Sequence, residues 1–119
     1  MYKLYFDGCE NGCASIITKE GIEMDTIMYH GQMNSTESLL TGLCLGLEYC
    51  IRKCIQDLVI CGENYVIMEQ LQGKNKLHHE LCVKAKRLLG FFQTVQFKII
   101  FRHENRRVAQ LSKEASLGI

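Results

Sequence analysis

The sequence predicts an α/β fold in which a five-stranded mixed sheet, its first three strands antiparallel, is flanked by helices. Three patterns in the 119 residues carry that expectation. Apolar and polar side chains alternate near the start, a capping signature at Asn34 opens a long amphipathic stripe, and short β-rich apolar runs return between later helical segments.

Tyr2, Leu4 and Phe6 share one face of a strand that runs to Asp7, which leaves a carboxylate at the strand's C-terminal end. Gly8, Asn11 and Gly12 read as a turn, Cys13 to Thr18 as a second strand, and Lys19-Glu20-Gly21 as a hairpin turn into a third, Ile22 to Tyr29. Asn34-Ser35-Thr36-Glu37 has the form of a capping box, in which the Asn side chain accepts a helix amide and the Glu reaches back. Leu40, Leu43, Cys44, Leu47, Ile51 and Cys54 then follow at three- and four-residue intervals, so one face of this helix is expected to be buried. Gly42 and Gly46 lower its helix propensity but permit close packing on a sheet.

Asp57 to Cys61 suits a strand covered on both faces, ended by Gly62-Glu63-Asn64. A short helix from Asn64 to Leu71 stops at Gly73, and a longer one carries the stripe Leu77, Leu81, Ala85, Leu88, Leu89 and Phe92. Val95 to Phe101 is read as the last strand, Arg102 to Arg107 as a polar loop, and Val108 to Leu117 as the closing helix. The element order implies strand ends that collect on one edge.

The length fits a single domain, residues 1–119, able to bury one core. The apolar share of 47% and charged share of 23% exclude a disordered chain, and no apolar run approaches the ~20 residues of a membrane span. Met1 to Phe6 lacks the apolar core of a signal peptide, so an intracellular, cytoplasmic or nuclear protein with no membrane partner is expected. Seven cysteines, an odd number at mostly apolar-face positions, read as reduced thiols packed as small hydrophobes. Cys9 with Cys13 and Cys50 with Cys54 are poor zinc pairs, since neither forms a CxxC. A net charge of +1 excludes a uniformly basic coat, although Lys74, Lys76, Lys84, Lys86, Arg87, Arg102, Arg106 and Arg107 offer a local one. Nothing in the sequence specifies an oligomeric state.

Four blocks in order resemble the ribonuclease H family across nearly the whole chain. They are Phe6-Asp7-Gly8, Asn34 three residues before Glu37, the run from Gly62-Glu63-Asn64 to Gln70-Leu71-Gln72-Gly73, and Arg102-His103-Glu104-Asn105 with Val108-Ala109-Gln110-Leu111-Ser112. The resemblance implies a ribonuclease H-like fold. It also implies metal-dependent endonucleolytic hydrolysis of the RNA strand of RNA/DNA hybrids, with Mg²⁺, or Mn²⁺ in its place, held by converging carboxylates.

Carried over by position, the family's four carboxylates fall on Asp7, Glu37, Glu63 and Ala109. Asp7 and Glu37 match in place and type and are expected to share an ion; Glu63 is one methylene longer than the family's Asp, and Ala109 supplies no ligand. His103 is the local counterpart of a histidine that assists proton or product handling in the family. For the nucleic acid, Asn34 matches a hybrid-contacting position, Asn11 and Asn64 are helpers by location, and Lys74, Lys76, Arg106 and Arg107 are the candidate phosphate contacts. The turn after Asp7 is shorter than the family's Gly-rich stretch, and its basic extension is absent. Two readings follow: an endonuclease weakened by the loss of one carboxylate, or a catalytically inactive module that binds hybrid, duplex RNA or a protein partner.

Overall fold

The structure, a computed structural model, describes residues 1–73 and 79–118. Five strands form one sheet: β1 (Tyr2–Cys9), β2 (Gly12–Lys19), β3 (Ile22–His30), β4 (Asp57–Gly62) and β5 (Thr94–Ile99), in the order β3-β2-β1-β4-β5. The first three pair antiparallel, while β4 runs parallel to both β1 and β5. The helices are α1 (Ser35–Arg52), α2 (Tyr65–Leu71), α3 (Glu80–Leu89) and α4 (Arg106–Ser116), with a 3₁₀ turn at Arg102–Glu104. This is the five-stranded mixed sheet, with its first three strands antiparallel, that the sequence predicts.

Alternation along β1 sends Leu4 and Phe6 to the face covered by α1, where they join Leu40, Leu43 and Leu47 in the main core. Each leucine fully buried there contributes roughly 1.5–3 kcal/mol of transfer free energy. On the opposite face, Val108 and Leu111 of α4 pack on Ala14 and Ile16. Strand β2, sandwiched between α1 and α4, is buried from Gly12 to Thr18, and β4 is buried on both faces from Leu58 onward. Among the described residues no helix is long and apolar enough to cross a membrane.

Helix α1 begins where its capping signature puts it. The Glu37 amide donates to Asn34 Oδ1 at 2.8 Å, and the Asn34 amide donates to Glu37 Oε1 at 3.0 Å. The helix ends at Arg52, two residues short of the end of the expected stripe, because Cys54 adopts a left-handed φ of 59° and is exposed. Gly8 belongs to β1 rather than to a turn. A Cβ there would lie 2.4 Å from the Leu39 nitrogen, so glycine is needed for contact with the α1 backbone.

Later boundaries also move. Phe92 is buried but lies beyond α3, which Gly90 caps at its C-terminus. Strand β5 stops at Ile99, and α4 starts at Arg106, so much of the expected polar loop is 3₁₀ turn and first helical turn. The expected stripe residue Leu77 and the basic candidates Lys74 and Lys76 lie outside the described residues. Cys13, Cys44, Cys50, Cys61 and Cys82 are buried free thiols. Burial pushes Cys13 and Cys50 up to about 12 and Cys44 to about 11, so none is a ready thiolate ligand or nucleophile.

Candidate functional site

The parallel strands β1, β4 and β5 all end on one edge, and the chemistry-bearing residues gather there. Tyr2 is paired with Leu58 and Tyr5 with Cys61, and the same offset carried past the last pair sets Asp7 across from Glu63. Their carboxylates interact electrostatically. A recess of about 260 Å³ opens between them, lined also by Gly8, Ser35, Thr36, Leu39, Asn64 and Arg102.

Glu63 is tied down on both oxygens. Asn105, only 2% exposed, donates from Nδ2 to Glu63 Oε2 at 2.8 Å and to the Phe6 carbonyl at 3.3 Å. Arg102 Nε sits 3.6 Å from Glu63 Oε1. Burial raises the pKa of Asp7, with a smaller upward push from Glu63, while the Gly8 amide, Arg102 and Lys113 pull it back.

Glu37 does not join this group. Its carboxylate closes the α1 capping box, and it lines a separate recess of about 570 Å³ with Glu10, Asn11, Gln32 and Asn34. Helical geometry gives the reason. Gly42 and Gly46 are the α1 positions pressed on β1 and β2, against Asp7 O, Ala14 O and Leu4, and Glu37 lies about 140° around the helix from Gly42. Ser35, Thr36 and Leu39 are the α1 residues that line the Asp7 recess, and none of them carries a carboxylate.

Beyond Arg102 lies a second recess of about 530 Å³, lined by Arg102, His103, Arg106, Ala109, Gln110 and Lys113. Arg106, Ala109, Gln110 and Lys113 follow the i, i+3, i+4, i+7 spacing of one α4 face. No acidic residue lines it. Where the resemblance puts a carboxylate, at Ala109, the wall is a methyl group among cations. The His103 ring stacks on Phe101, with centroids 6.0 Å apart and planes 9° from parallel.

The family model described as reverse transcriptase-like matches residues 13–115. The chain belongs to this family. Its ribonuclease H-like architecture is also found in solved structures at low identity. Ribonuclease H1 from the halophilic archaeon Halobacterium salinarum superposes with a TM-score of 0.88 at 21% identity, over 96% of each chain. Compost-derived LC11 ribonuclease H1, solved in complex with an RNA/DNA hybrid, gives a TM-score of 0.88 at 20% identity, over 99% of this chain and 98% of that one. The N-terminal ribonuclease H domain of a Mycobacterium tuberculosis protein gives 0.87 at 18% identity, over 99% and 96%. No curated protein matches by sequence.

Of the carboxylates that the resemblance nominates, Asp7 and Glu63 line one recess and Glu37 lines another. Hard divalent ions need several oxygen ligands in tight geometry. Among the described residues no group of three or more His, Cys, Asp or Glu side chains is placed to hold one. The residues present do not fit a pair of Mg²⁺ or Mn²⁺ ions: Asp7 and Glu63 are the carboxylates lining the recess, and Glu63 already has partners.

The binding candidates divide as well. Asn34 and Asn64 use their side-chain oxygens as helix caps, and Asn11 Oδ1 accepts from the Met33 amide, tying the β1–β2 turn to the loop before α1. Arg107 points away from the Asp7 recess and pairs with Glu23 of β3, Nε to Oε2 at 3.1 Å. Arg106 stays on the cleft side, beside Lys113, a cation the sequence reading passed over. The i, i+7 spacing of Arg106 and Lys113 was the available signal.

Proposed function

We propose that this chain is a nucleic-acid-binding ribonuclease H-like domain that holds an RNA/DNA hybrid or duplex RNA along the Asp7 edge without efficient hydrolysis. One observation carries the reading. Glu63, which two-metal chemistry would need as an ion ligand, is bonded to Asn105 on one oxygen and faces Arg102 on the other.

Two-metal hydrolysis uses ions about 4 Å apart to activate water and stabilise the leaving oxygen, and it depends on carboxylates free to converge on them. Here the α1 residues lining the Asp7 recess are Ser35, Thr36 and Leu39, and Ala109 stands on α4 in the neighbouring recess where the resemblance puts a carboxylate. What remains suits backbone recognition, which rests on cations and amide groups at a groove rather than on a reactive centre. A hybrid is also the ligand in the LC11 structure. The Asp7–Glu63 pair favours a second reading, slow cleavage supported by Mn²⁺.

The test is a labelled RNA/DNA hybrid incubated with the protein in Mg²⁺ and in Mn²⁺, beside Asp7→Asn. Hybrid binding with no product in either metal is expected. Cleavage that Asp7→Asn abolishes would overturn the binding-only reading.

A further inference from the structure

Cations line the recess on the α4 side of Arg102. We propose that Arg102, Arg106 and Lys113 bind a backbone phosphate of the nucleic acid directly, as built-in cations where a metal-dependent homologue would place an ion. The inference rests on the binding role proposed above and deepens it.

Charge is the first support. Three permanent cations line the recess, and no acid does. Arg107, one residue from Arg106, is neutralised by Glu23, yet among the described residues neither Arg106 nor Lys113 forms an ion pair. Arg102 pairs with Glu63 through Nε, which leaves the outer edge of its guanidinium fork for a phosphate.

Position is the second support. Arg102 lines both recesses, and Arg102 and Lys113 are close enough to lower the Asp7 pKa against the effect of burial. The cations therefore stand beside the carboxylate that would otherwise recruit a metal. A guanidinium and an ammonium supply positive charge without requiring further carboxylate ligands, so the absence of a carboxylate at Ala109 and the presence of these cations form one consistent design. The helix offers a third contribution. Asn105, the residue before α4, turns its side chain inward to Glu63 and makes no cap bond, leaving first-turn amides of α4 without a side-chain acceptor.

The consequence is binding that needs no divalent ion. A 20-base-pair RNA/DNA hybrid and a matched duplex RNA are titrated with the protein in excess EDTA and in Mg²⁺, across a range of salt. The affinity in the two buffers is expected to agree within about twofold. Arg106→Ala and Lys113→Ala, both at exposed positions, should each weaken binding roughly tenfold and lower the log–log salt slope by about one. Lys53→Ala, a cation at the far end of α1, should leave both unchanged.

Binding seen only with Mg²⁺ would overturn the inference and leave the binding role standing. Full affinity in EDTA for the Arg106→Ala/Lys113→Ala double variant would overturn it too, by placing the phosphates elsewhere. No binding in either buffer would remove the binding role and this inference with it.

Discussion

Asn105 Nδ2 lies 2.8 Å from Glu63 Oε2, and this bond joins the start of α4 to the end of β4 across the mouth of the site. The same amide nitrogen reaches the Phe6 carbonyl, so a single buried side chain fixes the relative height of β1, β4 and α4. It also holds Glu63 in place as an acceptor. Asn105→Ala should cost about 1–3 kcal/mol in urea unfolding, since it strands a buried carbonyl and an ionised carboxylate. Asn105→Asp should cost more, because it sets two carboxylates within hydrogen-bond distance. Adding Glu63→Gln should restore much of the Asn105→Asp loss. Equal stability of Asn105→Asp with and without Glu63→Gln would show that the two side chains are not coupled.

Asp7 yields a pH-dependent prediction. Burial raises its native pKa above the ordinary 3.8, so the folded state holds this proton more tightly than the unfolded chain does. The sign follows from proton binding: stability falls as pH rises from about the unfolded value through the raised native one, and the cost is then fully present at neutral pH. Asp7→Asn removes that cost while keeping the shape. Its melting temperature should exceed the parent's by about 1–3 °C at pH 7, with the gap closing below pH ~3.8. A gap of the same size at both pH values would point to packing rather than ionisation.

The parts of the fold legible in the sequence were those governed by local pattern. The Asn34–Glu37 capping box, the Leu4/Phe6 alternation and the doubly buried β4 each follow from a few neighbouring residues. The site was legible only where a strand carried it. Asp7 and Glu63 sit at the ends of parallel neighbours, and strand register brings them together. Glu37, which the motif nominates, lies outside the Asp7 recess: Asn-x-x-Glu serves equally as a cap and as a family signature, and sequence alone does not rotate the helix. Gly42 and Gly46 held that information: they mark the face against the sheet, and stepping back by three and by seven from Gly42 reaches Leu39 and Ser35, which line the Asp7 recess, not Glu37. Asn105 was passed over because nothing in its neighbours announces a bond to a residue 42 positions earlier.

The same geometry says which changes would rebuild a metal site. Leu39→Glu places a carboxylate on the α1 wall of the Asp7 recess, Ala109→Asp places one on the α4 wall of the neighbouring recess, and Glu63→Asp draws the β4 carboxylate back from Arg102 by one methylene. Carboxylates would then stand at the ends of β1 and β4 and on both neighbouring helices, adding the oxygen ligands that hard cations take. The triple variant should cleave an RNA/DNA hybrid in Mg²⁺ at least about tenfold faster than the parent. Adding Asp7→Asn should abolish the gain. A variant with Ala109→Asp and Glu63→Asp but Leu39 retained should stay near the parent level, because Glu37, held in the capping box, cannot reach the recess. If that double variant cleaves as fast as the triple, Glu37 rather than position 39 serves the site, and the helix rotation inferred from Gly42 and Gly46 is wrong.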